Sequence, residues 1–334
     1  MSETIKVIVY ETHGKPEDVL QIKTEPWPEP AADEAVVEMR AAPVNPADIN
    51  AIEGKYPGRR EVPAVPGMEG AGVVAQIGAN VKSIRKGALV ILPHNLGTWR
   101  EAVAVKADEL VEVPGQIDPV HAAMLKVNPL TAWRLLNGYV DLSPGDCVIQ
   151  NAANSAAGRC VIQIARELGF KTVNVVRRAE LIEELQAEGG DVVLLDDENL
   201  REAVKKATNG TPVRLGLNSV GGDSALRLAN CLAFGGTVVT FGAMSLQPLK
   251  IPTGLLIFKD LRFRGIWINH WYDNATHEER MAAFKPLFDM AARGLLKTKI
   301  EKVYSIDDAK AAVAHAMQNK RSGKIVFEFA AQKR

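Results

Sequence analysis

Short apolar runs of strand length recur through the first 125 residues. Ile5–Tyr10, Ala35–Ala42, Gly72–Ile77, Leu89–Leu92 and Ala102–Val105 are rich in β-type residues, and Pro43, Pro46, Pro57, Pro63, Pro66 and Gly87 punctuate the sequence between them. That pattern predicts an antiparallel, barrel-like β domain. Near residue 126 the pattern changes. From Cys147 onward, apolar runs at Cys147–Gln150, Thr172–Val176, Val192–Leu195, Arg214–Asn218 and Thr237–Phe241 are separated by helix-length sequence, with helices expected at 157–168 and 179–187. Strands alternating with helices build a parallel sheet covered on both faces, and right-handed crossovers make it doubly wound. Beyond residue 272 the expected elements are a helix at 276–293 with a kink at Pro286, a strand Ile300–Tyr304, a helix at 307–319 and a strand Lys324–Phe329. Ser305 and Asp308 have capping-box spacing for the 307–319 helix. The last strands are expected to return to the first domain. The organisation is then residues 1–125 and 295–334 as one domain, with residues 126–294 inserted as the second.

Charge and cysteine usage remove several classes. Lys and Arg number 40, and so do Asp and Glu. That balance has no general pull on nucleic acid or an anionic membrane, and the Arg59-Arg60 and Arg177-Arg178 pairs are too short to form a basic patch. No stretch reaches the ~18 consecutive apolar residues of a membrane helix. Cys147, Cys160 and Cys231 are isolated, which fits a reducing compartment better than a disulfide framework. The start, MSETIKVIVYETHG, has neither a signal peptide's apolar core nor a transit peptide's Arg/Ser bias. The expected location is cytoplasmic, or the mitochondrial matrix if a targeting segment has been removed.

The segment VIQNAANSAAGRCVIQIARELG runs from a buried strand through a small-residue turn into a helix. That is the context in which a dinucleotide's pyrophosphate rests on a helix N-terminus. Ser155 and Ala156 stand where glycines are usual; Gly158 remains for close packing. Asn154 and Ser155 are candidates to donate to phosphate. A tight strand-to-helix turn without a ligand is the plainer alternative. The next strand separates the cofactors. An NAD site places a carboxylate about 20 residues on, to accept from the ribose 2′-hydroxyl. Here TVNVV ends in Arg177-Arg178, whose guanidinium groups suit a 2′-phosphate, so NADPH is the expected cofactor.

With these residues in place, the chain resembles the medium-chain dehydrogenase/reductase superfamily and, within it, the 2-enoyl thioester reductases of mitochondrial fatty-acid synthesis. The strings AAPVNPADINAIEGKY, LGTWREAV, VNPLTAWRLL, VIQNAANSAAGRCVIQIA, NVVR, LNSVGG, LLIFKDLRFRGIW and SGKI carry the likeness. The resemblance implies an α/β fold in which a Rossmann sheet domain is inserted into a GroES-like catalytic β-barrel. It also implies NADPH-dependent reduction of the C2–C3 double bond of an enoyl-CoA or enoyl-ACP. A zinc-free quinone or enone reductase is the nearest alternative. A non-catalytic NADPH-binding or RNA-binding protein is the alternative from another class.

Met68 occupies the position of the zinc-binding histidine of the superfamily's Gly-His-Glu motif, and no cysteine precedes residue 147, so no metal is expected. The six histidines are scattered and read as ordinary surface or core residues. The resemblance assigns the catalytic role to Tyr56, which the local sequence alone would leave as a loop tyrosine. It assigns cofactor contacts to Asn128, to Asn154, Ser155, Ala156 and Ala157, to Arg177 with Arg178 beside it, to Phe241, Gly242, Ala243 and Met244, to Ile266, Trp267 and Ile268, and to Lys324. Ala179 departs from relatives that carry a second basic residue there. Trp267 is implied to wall the nicotinamide and acyl pocket, or is otherwise a core aromatic. A homodimer is implied by analogy, and no polybasic run marks a docking surface for an acidic carrier.

Overall fold

Most strands form where β-branched residues recur; Arg262–Gly265, RFRG, is an exception. In chain order they are β1 (Thr4–Tyr10), β2 (Leu20–Pro26), β3 (Glu34–Pro43), β4 (Ala71–Ile77), β5 (Leu89–Ile91), β6 (Ala102–Lys106), β7 (Val111–Glu112), β8 (Cys147–Asn151), β9 (Lys171–Val176), β10 (Val192–Leu195), β11 (Val213–Asn218), β12 (Thr237–Thr240), β13 (Arg262–Gly265), β14 (Ile300–Tyr304) and β15 (Lys324–Glu328). The computed structural model describes residues 4–58, 60–94, 96–318 and 321–331. Arg59 and residue 319, the expected end of the last helix, lie outside the described residues. The chain divides into two units, Met1–Val127 with Phe288–Arg334, and Asn128–Leu287. No helix among the described residues is long and apolar enough to cross a membrane.

In the first unit, β3 is the hub. It pairs antiparallel with β4, β6 and β15, and the sheet runs β14-β15-β3-β4-β5-β7 with β6 set against β3. The β14–β15 pair is parallel. β1 and β2 form a separate antiparallel ribbon, joined to the rest by bridges Val7↔Arg100 and Tyr10↔Ala64. The core is closed by fully buried Trp99 and Phe327, whose rings meet edge-on at 5.1 Å, and Trp99 Nε1 donates to Pro43 O at 3.3 Å. β2 was not anticipated from the sequence, because most of its residues face solvent and QIKTEP carries almost no apolar alternation.

The second unit is a six-stranded parallel sheet in the order β10-β9-β8-β11-β12-β13. Numbered within the unit, that order is 3-2-1-4-5-6, the dinucleotide-binding arrangement, with the order reversing between β8 and β11. All five β8 residues are buried, and so are five of the six in β9, because helices cover both faces of such a sheet. The helix expected at 157–168 is Ala156–Glu167, and the one expected at 276–293 is His277–Ala292 with Pro286 inside it. β13 was missed: RFRG is polar because the strand lies at the sheet edge, exposed beside β12.

The expected Ser305–Asp308 capping box is corrected. Ser305 Oγ accepts from Asp307 N at 3.2 Å and caps a short 3₁₀ turn, Ile306–Asp308; the α-helix begins afterwards, at Ala309, without a side-chain cap. In the 3₁₀ turn the Asp308 amide donates to Ser305 O at 3.1 Å, which leaves the Asp307 amide for the Ser305 hydroxyl oxygen.

Candidate functional site

In the second unit, the predicted residues Asn154–Ala157, Arg177-Arg178, Phe241–Met244 and Ile266–Ile268 directly follow the carboxyl ends of β8, β9, β12 and β13. One parallel sheet therefore brings them to one edge, where open α/β sheets bind their ligands. Asn128 opens the helix Asn128–Asn137, which packs against Ala156–Glu167. Its Nδ2 is shielded from solvent and makes no hydrogen bond among the described residues, so a buried donor is available to a ligand.

The turn after β8 is built without a glycine fingerprint. Ala152 adopts φ +46°, a left-handed conformation that L-residues adopt at some cost. Gly158 is required for a different reason: a Cβ there would lie 2.5 Å from Ala153 O. The helix N-terminus thus approaches the turn backbone as closely as a missing side chain allows. Ser155 Oγ accepts from Gly158 N at 3.1 Å and caps the helix, leaving its hydroxyl proton available to donate. Arg159, in the first turn, points elsewhere. Its guanidinium pairs with Glu184 at 3.0 Å and with Glu188, and its Nε donates to Asn154 O. Its charge is matched by these carboxylates, which tie the helix Leu181–Ala187 to this one.

Below that edge lie two polar ladders. Gln150 Nε2 donates to Gly158 O at 2.9 Å and to Asn174 Oδ1 at 2.8 Å, and Asn174 Nδ2 donates to Val192 O, joining β8, β9 and β10. On the other side, Asn151 Nδ2 donates to Asn218 Oδ1 at 2.8 Å and Asn218 Nδ2 to Thr240 Oγ1 at 3.1 Å, joining β8, β11 and β12 across the point of reversal. Asn151 Oδ1 accepts from Ser219 N, and Asn218 Oδ1 accepts from Gly221 N, so the same side chains shape the loop after β11. That loop in turn holds Phe241–Ser245 through Met244 N to Ser219 O and Ser245 N to Val220 O, both 2.9 Å. Asn151, Asn218 and Thr240 were not among the predicted site residues. The signal was present as polar side chains within otherwise apolar strands, since a buried polar group persists only where its hydrogen bonds are met.

The two arginines after β9 differ. Arg178 Nη1 lies 3.4 Å from Glu180 Oε1, whereas Arg177 is exposed and pairs with no carboxylate among the described residues. Trp267, 45% exposed, stacks on His270 with 14° between the rings, at the start of the helix Ile268–Asn274.

In the first unit, Tyr56 follows the helix Pro46–Ile52 and is half-buried; its backbone N–H donates to Asn50 O at 3.1 Å. The start of that helix sits on a buried polar cluster. Asp48 Oδ2 accepts from Asn45 N at 2.8 Å, the reach-back half of a capping box. Glu69 accepts from Asn45 Nδ2 at 2.9 Å and from Val127 N at 2.8 Å. Lys324 donates to Val44 O and Asn45 Oδ1, and Lys126 donates to Met68 O and Leu92 O. Burial pushes the Asp48 carboxyl up to about 7, against the Asn45 amide and the Lys324 charge; burial likewise raises Glu69, opposed first by Lys324. The structure thus places Lys324, predicted as a cofactor contact, in this cluster with its ammonium buried.

The donors present do not fit a zinc site. Met68 is buried where the superfamily's zinc proteins have histidine, and no three His, Cys, Asp or Glu side chains gather among the described residues. Burial raises the Cys147 thiol to about 11 and Cys231 to about 12, so neither is a thiolate near neutrality.

Residues 31–115 match the model of the alcohol dehydrogenase GroES-like domain, and residues 156–284 that of the zinc-binding dehydrogenases. A mitochondrial enoyl-[acyl-carrier-protein] reductase of Caenorhabditis elegans is 44% identical over 91% of this chain and 90% of its own. The chain belongs to that reductase family. As a medium-chain dehydrogenase/reductase, it has the Rossmann and GroES-like halves expected of the fold. Among solved structures similar to this family member is the Etr1p complex with NADP and crotonyl-CoA, with a TM-score of 0.87 at 29% identity over 98% of this chain and all of the other. Another is a putative NADPH:quinone reductase of Bacillus thuringiensis, with a TM-score of 0.91 at 30% identity and the same coverage.

Proposed function

We propose that the protein is an oxidoreductase that reduces the C2–C3 double bond of trans-2-enoyl thioesters with NADPH. The observation that carries this reading is the 44% identity, over nearly the whole of both chains, to an enzyme of that name. The site residues support it. The N-terminus of Ala156–Glu167, with the Ser155 hydroxyl and the close approach at Gly158, suits a pyrophosphate. Arg177 suits the 2′-phosphate, and the Asn128 amide has a donor to offer. When bound, NADPH supplies the hydride that adds to the β-carbon. Tyr56 then donates a hydrogen bond to the negative charge growing on the thioester oxygen, and supplies or relays the proton taken by the α-carbon. Trp267 walls the pocket, and Phe241–Met244 and Ile266–Ile268 line the cofactor's path.

A rate comparison across enoyl-CoA chain lengths with NADPH and with NADH tests this. Turnover of crotonyl-CoA or a longer homologue with NADPH, and much less with NADH, is expected. Activity on quinones with none on any enoyl-CoA would instead favour the quinone-reductase reading, which the Bacillus likeness keeps in view.

A homodimer belongs to the same reading. β13 presents an exposed strand edge, and Ile257 and Phe258 beside it in sequence are 64% and 78% exposed. Light scattering at micromolar concentration should give twice the chain mass; a monomer removes the proposal. The relatives' names place them in mitochondria, and a matrix location for this chain is proposed with them, to be checked by cell fractionation.

A further inference from the structure

The loop that carries Tyr56 is closed by one side chain from another part of the first unit. His13 Nδ1 lies 3.2 Å from Ile52 O, and His13 Nε2 lies 3.2 Å from Arg60 O. Those two carbonyls flank Tyr56 symmetrically, four residues before it and four after. The surrounding backbone follows the same seam: Gly14 N donates to Ile52 O at 3.2 Å, and Tyr10 and Ala64 exchange a pair of hydrogen bonds at 2.9 and 3.0 Å. The loop also lies against the ring. A Cβ on Gly54, itself at φ +72°, would come within 3.1 Å of His13 Cγ.

The stoichiometry of this contact decides its chemistry. A carbonyl oxygen only accepts, so each of the two hydrogen bonds needs a proton on the ring nitrogen. A neutral imidazole carries one such proton and an imidazolium two. Both ends of the loop are therefore held only when His13 is positively charged. With the neutral ring, one carbonyl faces a nitrogen lone pair and that end is released.

We propose that His13 is a positioning residue for Tyr56: as an imidazolium it donates to Ile52 O and Arg60 O and staples the two ends of the loop bearing the tyrosine. This rests on the catalytic reading of Tyr56. Several charged and titratable groups among the described residues lie around the staple. Tyr10 packs its ring 5.6 Å from that of His13. The Arg60 guanidinium, on the held segment, donates to Val65 O. Asp48 acts on both Tyr10 and Arg60. On the loop itself, Glu53 is paired with Lys55 at 2.9 Å.

The test uses the full chain. His13→Ala should lower kcat for crotonyl-CoA by about tenfold or more, because misplacing a catalytic group by about 1 Å costs up to 10²-fold. NADPH affinity should stay within about twofold. Ring ¹⁵N shifts of His13 in the wild type should show both nitrogens protonated where activity is full. Amide exchange at Glu53, Gly54, Lys55 and Tyr56 should be faster in the variant than in the wild type. A singly protonated ring at full activity, or a variant with kcat within twofold of wild type, overturns the proposal. The ring shifts need no variant, so a misfolded His13→Ala leaves the test intact. If Tyr56→Phe keeps full turnover while the staple is seen by ring shifts and amide exchange, the role given to Tyr56 fails and the staple stands.

Discussion

Replacing Tyr56 by Phe is expected to lower kcat for crotonyl-CoA reduction about a hundredfold while leaving NADPH affinity nearly unchanged. Positioned proton donors contribute about 10²–10⁴ in rate. The substitution keeps the ring and removes only the hydroxyl, so packing of the half-buried side chain is largely preserved. The backbone bond from Tyr56 N to Asn50 O survives as well. An interaction made only as charge develops on the thioester oxygen should lower kcat and kcat/KM together. Steady-state kinetics with a melting curve and an NADPH titration separate this from damage to the fold. Unchanged turnover, or a loss fully matched by a lower melting temperature, would remove Tyr56 from the mechanism.

The second large effect concerns the adjacent arginines. Arg177→Ala should reduce kcat/KM for NADPH by about 10–100-fold and leave that for NADH nearly as it was. A hydrogen bond to a charged group contributes about 1.5–3 kcal/mol, and an exposed guanidinium with no carboxylate partner among the described residues has its donors available for a phosphate. Arg178→Ala should cost clearly less, because its guanidinium is already engaged with Glu180 at 3.4 Å. Measuring both variants with both cofactors decides the assignment. It fails if Arg177→Ala keeps NADPH selectivity, or if Arg178→Ala produces the larger loss.

These expectations also show how far local sequence reaches. The runs at 147–150, 172–176 and 192–195 were legible as strands of a covered parallel sheet because burial on both faces leaves continuous apolar residues. Exposed elements escaped for the converse reason. β2 and β13 carry polar residues, since solvent rather than a core meets most of their side chains. The requirement for Gly158 was legible as a small residue in a strand-to-helix turn. That its neighbour would be the carbonyl of Ala153 was not.

What the sequence by itself determined is the buried elements, their alternation, the cofactor preference implied by basic residues after β9, and the lack of zinc ligands. These follow from local burial periodicity and from which donor atoms the chain possesses. Only the tertiary structure decided which residues meet: the strand order that brings four separate loops to one sheet edge, the Asn151–Asn218–Thr240 ladder across it, and the burial of Lys324 beside Asn45. It also separated Arg177 from Arg178 and turned His13, ordinary by its sequence context, into a link between Ile52 and Arg60. Hydrogen bonds between residues tens of positions apart depend on how the chain returns on itself, and periodicity within a segment carries no record of that return.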